Sequence, residues 1–544
     1  MAPHSAAEDN IGQMVNMPTP EEFTALQQAL AEALKQKDSL AGELRVVRTE
    51  RDLLKEQLSK FKRQLFAASS EVTGEHQKDM FFNEAESLGA QAEPVAEETD
   101  DDKIDVPGHK RVKRGRKPLD PALPREVMRH ELPHDERVCP HDGMALREIG
   151  VEVSEQLDIV PQQVRVIRHE RVKYACPCCD GAIRLAARPT QVIPKGLFTE
   201  SALAWIATSK YLDGLPLYRQ AALLGRFGGT DISRNTVAGS IVRLGQLVQP
   251  VVNLLRDELL DAPLVFGDET ELQVLKEPGR AAQAKSYMWA QMTEGSGRDG
   301  TGPPLRLFTY APSRSTKTAM ALYAGVREGA VLMTDGYDVY DAVAKTQRLV
   351  HLGCWTHCRR YFHEALQALP KDKRGPEQLA ARFIALIGKL YHVEAQAKRD
   401  DVGIEELGLR RQHESVPVLA DIESLLLANL HAVLPKSLLG QALHYLSSQW
   451  SKLKRYVEDG RYSIDNNAQE NAIRPFCVGR RNWLFADTVA GATASANLYS
   501  LLQTCQVNGI DGYRYLRALF IALPMAKTVD DYASMLPWRI EWKA

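Results

Sequence analysis

Three acids stand where they could do phosphate chemistry. Asp268 lies inside an alternating apolar run (Val265-Phe266-Gly267-Asp268-Glu269-Thr270). Asp335 ends another (Leu332-Met333-Thr334-Asp335), and Glu470 follows Asp465-Asn466-Asn467 on a helical stretch. Phosphodiesters resist attack because the phosphate is anionic and the leaving alkoxide is poor. Two divalent cations about 3.5–4 Å apart answer both difficulties, one activating the attacking oxygen and the other stabilising the leaving one. Mg²⁺ is hard, takes oxygen ligands and keeps several positions for water and phosphate. Two strand carboxylates plus one from a flanking helix would form such an open cluster, and acids so gathered need the cation to stay ionised. Taken singly, each acid has an ordinary explanation: strand-end aspartates cap turns and helix glutamates face water. Asp268 is followed by Glu269 and Glu271, and Asp335 by Asp338 and Asp341. Strand alternation favours Asp268 over Glu269 if Phe266 and Thr270 share its face.

The elements that must hold these acids follow from periodicity. LVFGDETELQVL, KSYMWAQM and PLRLFTYA are three strand-like runs separated by turn chemistry. A helix over Ser315–Val326, a strand (AVLMTD), a short helix and a strand (RLVHLG) follow. Three strands, then helix–strand–helix–strand, is an α/β order, and also that of a ribonuclease-H-like fold. Residues 261–357 would form the first part of this core. Residues 358–446 are predominantly helical and look inserted. Residues 447–491 complete the core with Glu470, and 492–544 form C-terminal helices split near Asn508-Gly509.

Upstream the chain is modular. Residues 1–20 are polar and predicted disordered. Over 21–67, Phe23, Leu26, Leu30, Ala33, Lys37, Leu40, Leu44, Val47, Arg51, Leu54, Leu58, Phe61 and Leu65 step by three and four without a break. That spacing predicts a coiled coil, in its simplest form a homodimer; Lys37 and Arg51 interrupt the seam and could set register. A single amphipathic helix packed on its own protein is the alternative. Residues 68–120 are a linker. Glu93 to Asp105 holds seven acids and one lysine; then Lys110, Arg111, Lys113, Arg114, Arg116 and Lys117 place six positive charges in eight residues. Such an arm, with an AT-hook-like Arg114-Gly115-Arg116 centre, can follow a phosphate backbone or enter a minor groove; alternatively it only balances the acidic run. Residues 121–190 hold short strand-like stretches such as VRVIRHERVKYAC, ending in Cys176, Cys178 and Cys179. Residues 191–260 are helical. A glycine pair, then Ser233 before Arg234-Asn235-Thr236, outlines a helix-turn-helix reading head that would touch DNA through Arg234, or a plain helical bundle.

Composition sets the outer limits. The chain has 544 residues, 44% hydrophobic and 25% charged, with net charge −2. It is too long for one core, and the overall charge balance is uninformative about nucleic acid. No apolar run approaches a membrane span, and MAPHSAAEDN lacks a basic start followed by an apolar core, so a cytoplasmic protein is expected. Three of the eight cysteines fall within four residues, which suits metal in a reducing compartment better than a disulfide framework.

From roughly residue 21 to 540 the chain resembles the IS-sixty-six family of insertion-sequence transposases, in its large subunit. The heptads with KRQLF, Asp268-Glu269-Thr270, APSRS (311–315), Asp335-Gly336-Tyr337 and Cys354-Trp355-Thr356-His357-Cys358-Arg359-Arg360 carry the resemblance. So do Ile464 to Glu470, Arg474-Pro475 and Gly479-Arg480-Arg481-Asn482-Trp483-Leu484-Phe485. The last two blocks are long and specific. The resemblance implies a multidomain α+β protein: an N-terminal coiled coil, a zinc-finger-like domain, a helical DNA-binding domain, a ribonuclease-H-like core with a helical insertion, and C-terminal helices. It implies that Asp268, Asp335 and Glu470 are the catalytic metal ligands for two Mg²⁺ or Mn²⁺ ions.

It also implies a four-ligand zinc finger, from which this chain departs. Cys176 and Cys179 form an intact C-x-x-C pair, but upstream only Cys139 is present, with His141 and Asp142 as substitute ligands. Cys354 and His357 could be half a zinc site; a site-supporting role is favoured over it, with buried packing the alternative. Arg359, Arg360, Arg480 and Arg481 are candidate phosphate contacts and Trp483 a candidate for stacking on a base. The expected activity is metal-dependent cleavage of the element's terminal inverted repeats and strand transfer into target DNA, with accessory proteins of the same element as further partners. The rivals are a catalytically decayed DNA-binding regulator and a ribonuclease-H-like nuclease that cleaves without joining.

Overall fold

The computed structural model describes residues 20–66, 164–175, 183–187, 189–228 and 232–541. The polar tail, the acidic and basic linker with Lys110, Arg111, Lys113, Arg114, Arg116 and Lys117, and Cys139, His141, Asp142, Cys176 and Cys179 lie outside them. Two units are distinguished: residues 1–81, 188–220 and 234–544 in one, 82–187 and 221–233 in the other. Among the described residues no helix is long and apolar enough to cross a membrane.

The smaller unit contains an antiparallel hairpin of β1 (Lys173–Ala175) and β2 (Ile183–Leu185), with Tyr174 opposite Arg184. The strand predicted over VRVIRHERVKYAC is confined to its last residues. Residues 164–172 have no ladder partner among the described residues, and Val166 is 91% exposed.

In the larger unit, α1 (Pro20–Phe66) is one uninterrupted helix. The seam residues Leu30, Leu40, Leu44, Val47, Leu54 and Leu58 are all exposed. Along the chain the hairpin is followed by α2 (Glu200–Tyr211), α3 (Leu217–Gly228), α4 (Arg234–Leu247) and α5 (Gln249–Leu260), of which α3 from residue 221 onward is assigned to the smaller unit. Thr199 caps α2 by accepting the Ala202 N–H at 3.2 Å.

The centre is a mixed sheet of six strands. β3 (Leu264–Lys276), β4 (Lys285–Thr293) and β5 (Leu305–Ala311) are antiparallel neighbours; β6 (Val331–Met333) and β7 (Val350–Leu352) extend the sheet in parallel with β3, giving the order β5-β4-β3-β6-β7. The parallel pairs need crossovers, supplied by α6 (Thr316–Leu322) and α7 (Asp338–Gln347). The helix expected to reach Val326 stops at Leu322; Gly325, at φ +92°, turns the chain toward β6.

After β7 come α8 (Trp355–Ala368), α9 (Leu379–Arg399), α10 (Ile404–Arg410), α11 (Val416–Asn429) and α12 (Leu438–Leu453). They have their own apolar core, with Phe362 stacked on Phe383 at 4.4 Å. α13 (Asn467–Trp483) returns to the sheet, β8 (Ala486–Thr488) pairs with the far end of β3, and α14 (Val489–Val507) and α15 (Gly512–Ala522) follow, with a short α16 (Val529–Ala533).

α14 is buried along most of its length and lies against β5, an outer strand of the sheet. Unpaired backbone groups make such an edge a hazard. Here the Phe308 N–H donates to Ser500 Oγ at 2.8 Å and the Arg306 N–H to Thr504 Oγ1 at 3.1 Å. Where α4 meets α14, a Cβ on Gly245 would lie 2.3 Å from that of Ala494, so only glycine permits the crossing.

Gly267 imposes a similar demand beside Asp268. A Cβ there would meet Tyr323 Oη at 1.9 Å, while the next atom, Cζ, is at 3.1 Å. Gly267→Ala is therefore expected to destabilise the protein by about 1–3 kcal/mol through overpacking. Adding Tyr323→Phe should recover most of that loss, a non-additivity that chemical denaturation of the four proteins of the cycle will measure.

Candidate active site

Because side chains alternate along a strand, β3 presents two faces. Phe266 packs in a cluster with Ala472 of α13, and Thr270 Oγ1 accepts a hydrogen bond from Arg480 of α13 at 3.0 Å. Asp268 shares that face. Gly267 and Glu269 point the other way, where Glu269 accepts from Tyr340 Oη at 2.6 Å and pairs with Arg314 at 3.5 Å. Asp268 Oδ1 accepts the Glu269 N–H at 2.8 Å.

Asp335 follows β6, the strand hydrogen-bonded beside β3, with Phe266 opposite Met333. Gly336, at φ +93°, turns the chain so that the Tyr337 N–H reaches Asp335 Oδ1 at 3.0 Å. The Asp335 carbonyl accepts from Tyr445 Oη of α12 at 2.7 Å. Behind it, Thr334 Oγ1 lies 2.9 Å from His351 Nε2, and His351 Nδ1 lies 2.9 Å from Asp341 Oδ1.

Glu470 stands in the first turn of α13, whose entry is secured at several points. Asn466, fully buried, donates through Nδ2 to the carbonyl of Gly267 at 3.1 Å, and its N–H points at Cys354 Sγ at 3.3 Å. Gln469, also fully buried, donates to the Ala290 carbonyl of β4 at 2.9 Å. Asp465 accepts from Asn467 Nδ2 at 2.8 Å, Thr356 Oγ1 at 3.0 Å and Tyr391 Oη at 2.8 Å. One carboxylate thus joins α8, α9 and the start of α13.

The electrostatics describe a crowded anionic site. Burial raises Asp268 well above the ordinary carboxyl range, and Asp335, Glu269 and Glu470 add repulsion. Burial also raises Glu470; Arg360 opposes the shift while Asp465 and Asp335 reinforce it. Asp335 repels both Asp268 and Glu470, and Glu470 repels Asp268, so the three acids feel one another. His357 Nε2 and Arg360 each stand 3.6 Å from Glu470 Oε1. Burial, with Arg360 nearby, lowers His357 to about 4, so at neutral pH it meets Glu470 as an uncharged imidazole and only Arg360 supplies positive charge.

The other predicted site residues divide. Arg360 joins the carboxylates. Arg480 is turned onto β3, donating to Thr270 and to the Glu271 carbonyl. Arg481 is exposed farther along α13, Arg359 is half-buried on α8, and Arg234 is exposed at the start of α4. Trp483 packs edge-on against Phe476 at 5.6 Å, with the Lys210 ammonium 5.0 Å over its ring. Cys354 and Cys358 are fully buried; burial pushes the Cys354 thiol up to about 12, which keeps it protonated. Among the described residues no three or more His, Cys, Asp or Glu side chains form a ready-made metal cage. Asp268, Asp335 and Glu470 are oxygen donors of the kind that hard divalent cations take.

Comparison with known proteins decides the family. A model described as the IS66 family of transposases matches residues 195–494, over half of the chain. The chain belongs to the IS66 transposase family. Further IS66 models match beside it: the zinc-finger binding domain over 136–180 and the C-terminal element over 500–538, while one described as a transposase C homeodomain of IS166 matches 53–128. Relatives occur in Sinorhizobium fredii (strain NBRC 101917 / NGR234). Uncharacterized protein y4qI is 33% identical over 442 residues, covering 79% of this chain and 78% of its own; y4jD is 29% identical, covering 78% and 82%.

Within this IS66 chain, sequence reasoning gave no individual role to Asp465, Asn466, Gln469 and Arg314, which it met only inside longer motifs, and none to Tyr445. For Asp465 and Asn466 the sequence signals a helix entry, which Asp465 serves by accepting the Asn467 N–H at 3.1 Å, but not their burial against other elements. Tyr445 left no trace, because its partner Asp335 is 110 residues away.

His357 offers a pH test. Folded, it takes its proton near pH 4; unfolded, near 6.5. Between those values the unfolded chain binds the extra proton, so His357 withdraws stability as pH falls from about 6.5 toward 4. Melting temperatures measured over that window should fall less for His357→Gln than for the wild type.

Proposed function

We propose that this transposase cleaves the ends of its element and joins them to target DNA at Asp268, Asp335 and Glu470. The observation that carries the reading is the shared repulsion of three acids delivered by β3, the end of β6 and the first turn of α13. Asp268, Asp335 and Glu470 would hold two Mg²⁺ or Mn²⁺ ions, which when bound would activate the attacking oxygen and stabilise the leaving one. The chain's own groups do the rest. Tyr337 and Tyr445 fix Asp335 from its two ends, Asn466 and Gln469 fix the helix that carries Glu470, and Arg360 offsets charge at the rim. Water attacks the phosphate at the element's end and the bond to the 3′-oxygen breaks; the freed 3′-hydroxyl then attacks a target phosphate in line, and the target strand's own 3′-oxygen leaves as a hydroxyl. No covalent protein–DNA intermediate is required.

The remaining assignments belong to the same proposal. The sheet order, three antiparallel strands followed by two parallel ones, supports a ribonuclease-H-like core interrupted by a helical insertion. The open seam of α1 supports a coiled coil pairing two copies, so that two ends can be held together. The basic arm, the zinc-finger region and helices α2 to α5 would read the terminal repeats, in the cytoplasm, with proteins from the same element assisting.

Strand cleavage and joining on labelled duplexes carrying the repeats test the reading. Wild type should give joined product with Mg²⁺ and none with EDTA, and Asp335→Asn should lose at least about a hundredfold. Binding without cleavage would favour a decayed regulator, and cleavage without joining a nuclease.

Ion binding can be followed without activity. The folded carboxyl groups of Asp268 and Glu470 titrate above their ordinary values, so stability is lost as pH rises through them. Mg²⁺ should restore it: at 100 times its dissociation constant an ion contributes about 2.7 kcal/mol. The rise in melting temperature should be largest near pH 8, shrink as the acids protonate and vanish in Asp268→Asn. A rise unchanged in that variant would sink the assignment.

Replacing Leu40, Leu44 and Leu54 together by glutamate should halve the mass measured by light scattering if α1 pairs two chains.

A further inference from the structure

Beside Asp335 lies a groove of about 670 Å³ between the start of α7 and one face of α12. Resting on the cleavage reading above, we propose that it receives one nucleobase swung out of the duplex next to the phosphate under attack.

The lining argues against the backbone of DNA and for a base. Its charged residues at α7 are acidic, Asp338 and Asp341, which repel a phosphate. Asp341 is already engaged by Lys452 at 2.7 Å and by His351, whereas Asp338 is exposed. An uncharged, flat group with N–H donors is welcome beside such a carboxylate. A platform for that group is present. Tyr361, 36% exposed, stacks on Tyr445 with ring centres 4.6 Å apart and an angle of 27°. Bases stack on such rings whatever their sequence. Gln449 adds an amide that is 6% exposed and whose oxygen has no hydrogen-bond partner. The floor is kept bare by Gly336, where a Cβ would come within 3.0 Å of Tyr445 Oη and 3.1 Å of Gln449 Oε1.

Position supplies the remaining argument. Tyr445 donates to the carbonyl of Asp335, so the ring beneath Tyr361 is tied to the backbone of a proposed catalytic acid. A base held on Tyr361 would open the neighbouring step and expose the phosphate to Asp335. Extruding a base costs stacking and pairing, which contacts in a receiving pocket offset.

The test uses the full-length protein and single-turnover cleavage of a terminal-repeat duplex, intact or with an abasic nucleotide at each position around the cleavage point in turn. Tyr361→Ala should slow cleavage of the intact end by about tenfold, the worth of one aromatic stack, and Tyr361→Phe should stay near wild type. One abasic position, and only one, should return Tyr361→Ala to the wild-type rate, because no base remains to be extruded. That rescue also shows that the variant is folded. Tyr361→Ala cleaving at the wild-type rate, or remaining equally slow on every abasic duplex, would overturn the pocket while leaving the cleavage reading intact. Failure of the wild type to cleave any duplex would overturn both.

Discussion

Three acids that repel one another are kept together in this protein. That constraint shapes the rest of the molecule. Left to themselves, carboxylates this close would separate or take up protons; burial with Asp335 and Glu470 nearby pushes Asp268 strongly toward the second course. The structure answers with rigid supports. Asp268 is fixed in the longest strand of the sheet, and Asp335 receives a backbone N–H on its carboxylate and a tyrosine hydroxyl on its carbonyl. A helix cannot be stitched to a sheet by ladder hydrogen bonds. Glu470 therefore depends on two buried amides, Asn466 and Gln469, whose donors end on the carbonyls of Gly267 and Ala290.

Helices α8 to α12 belong to the same framework. Asp465 binds Thr356 from α8 and Tyr391 from α9, so the approach to α13 is anchored in helices that otherwise have a separate apolar core. Trp355 strengthens the joint through its indole N–H, which donates to the Leu453 carbonyl at the end of α12. These helices thus bear on where Glu470 stands. Replacing a buried amide such as Asn466 leaves its partner carbonyl without a donor, a loss of about 1–3 kcal/mol, felt at the acid four residues away.

Much of this was legible in the chain because it is local. Alternation around Asp268, the strand–helix–strand order after it and the polar run before Glu470 each announce an element within a dozen residues. The long helix α1 and the split between α14 and α15 followed from apolar spacing and from Asn508-Gly509. What escaped depends on residues far apart in sequence. Nothing near Trp483 indicates that Lys210 covers its ring, and nothing near Tyr445 indicates that its hydroxyl ends on Asp335, 110 residues earlier. Lengths also shifted where glycine set the backbone: α6 ends short of Val326 because Gly325 can adopt a turn that other residues resist.

The sealing of β5 by α14 has a consequence for biosynthesis. The hydroxyls that close the edge of β5 arrive 192 and 198 residues after the backbone groups they satisfy. A ribosome adds about 5–20 residues per second, so a growing chain spends tens of seconds at most, and about ten at least, with that strand unsealed. Glu470 also emerges late in this interval. The nascent protein is therefore both sticky and incapable of the proposed cleavage until nearly all of it has been made. A chain cut short before α14 would keep the edge of β5 open, the kind of edge that pairs with other chains.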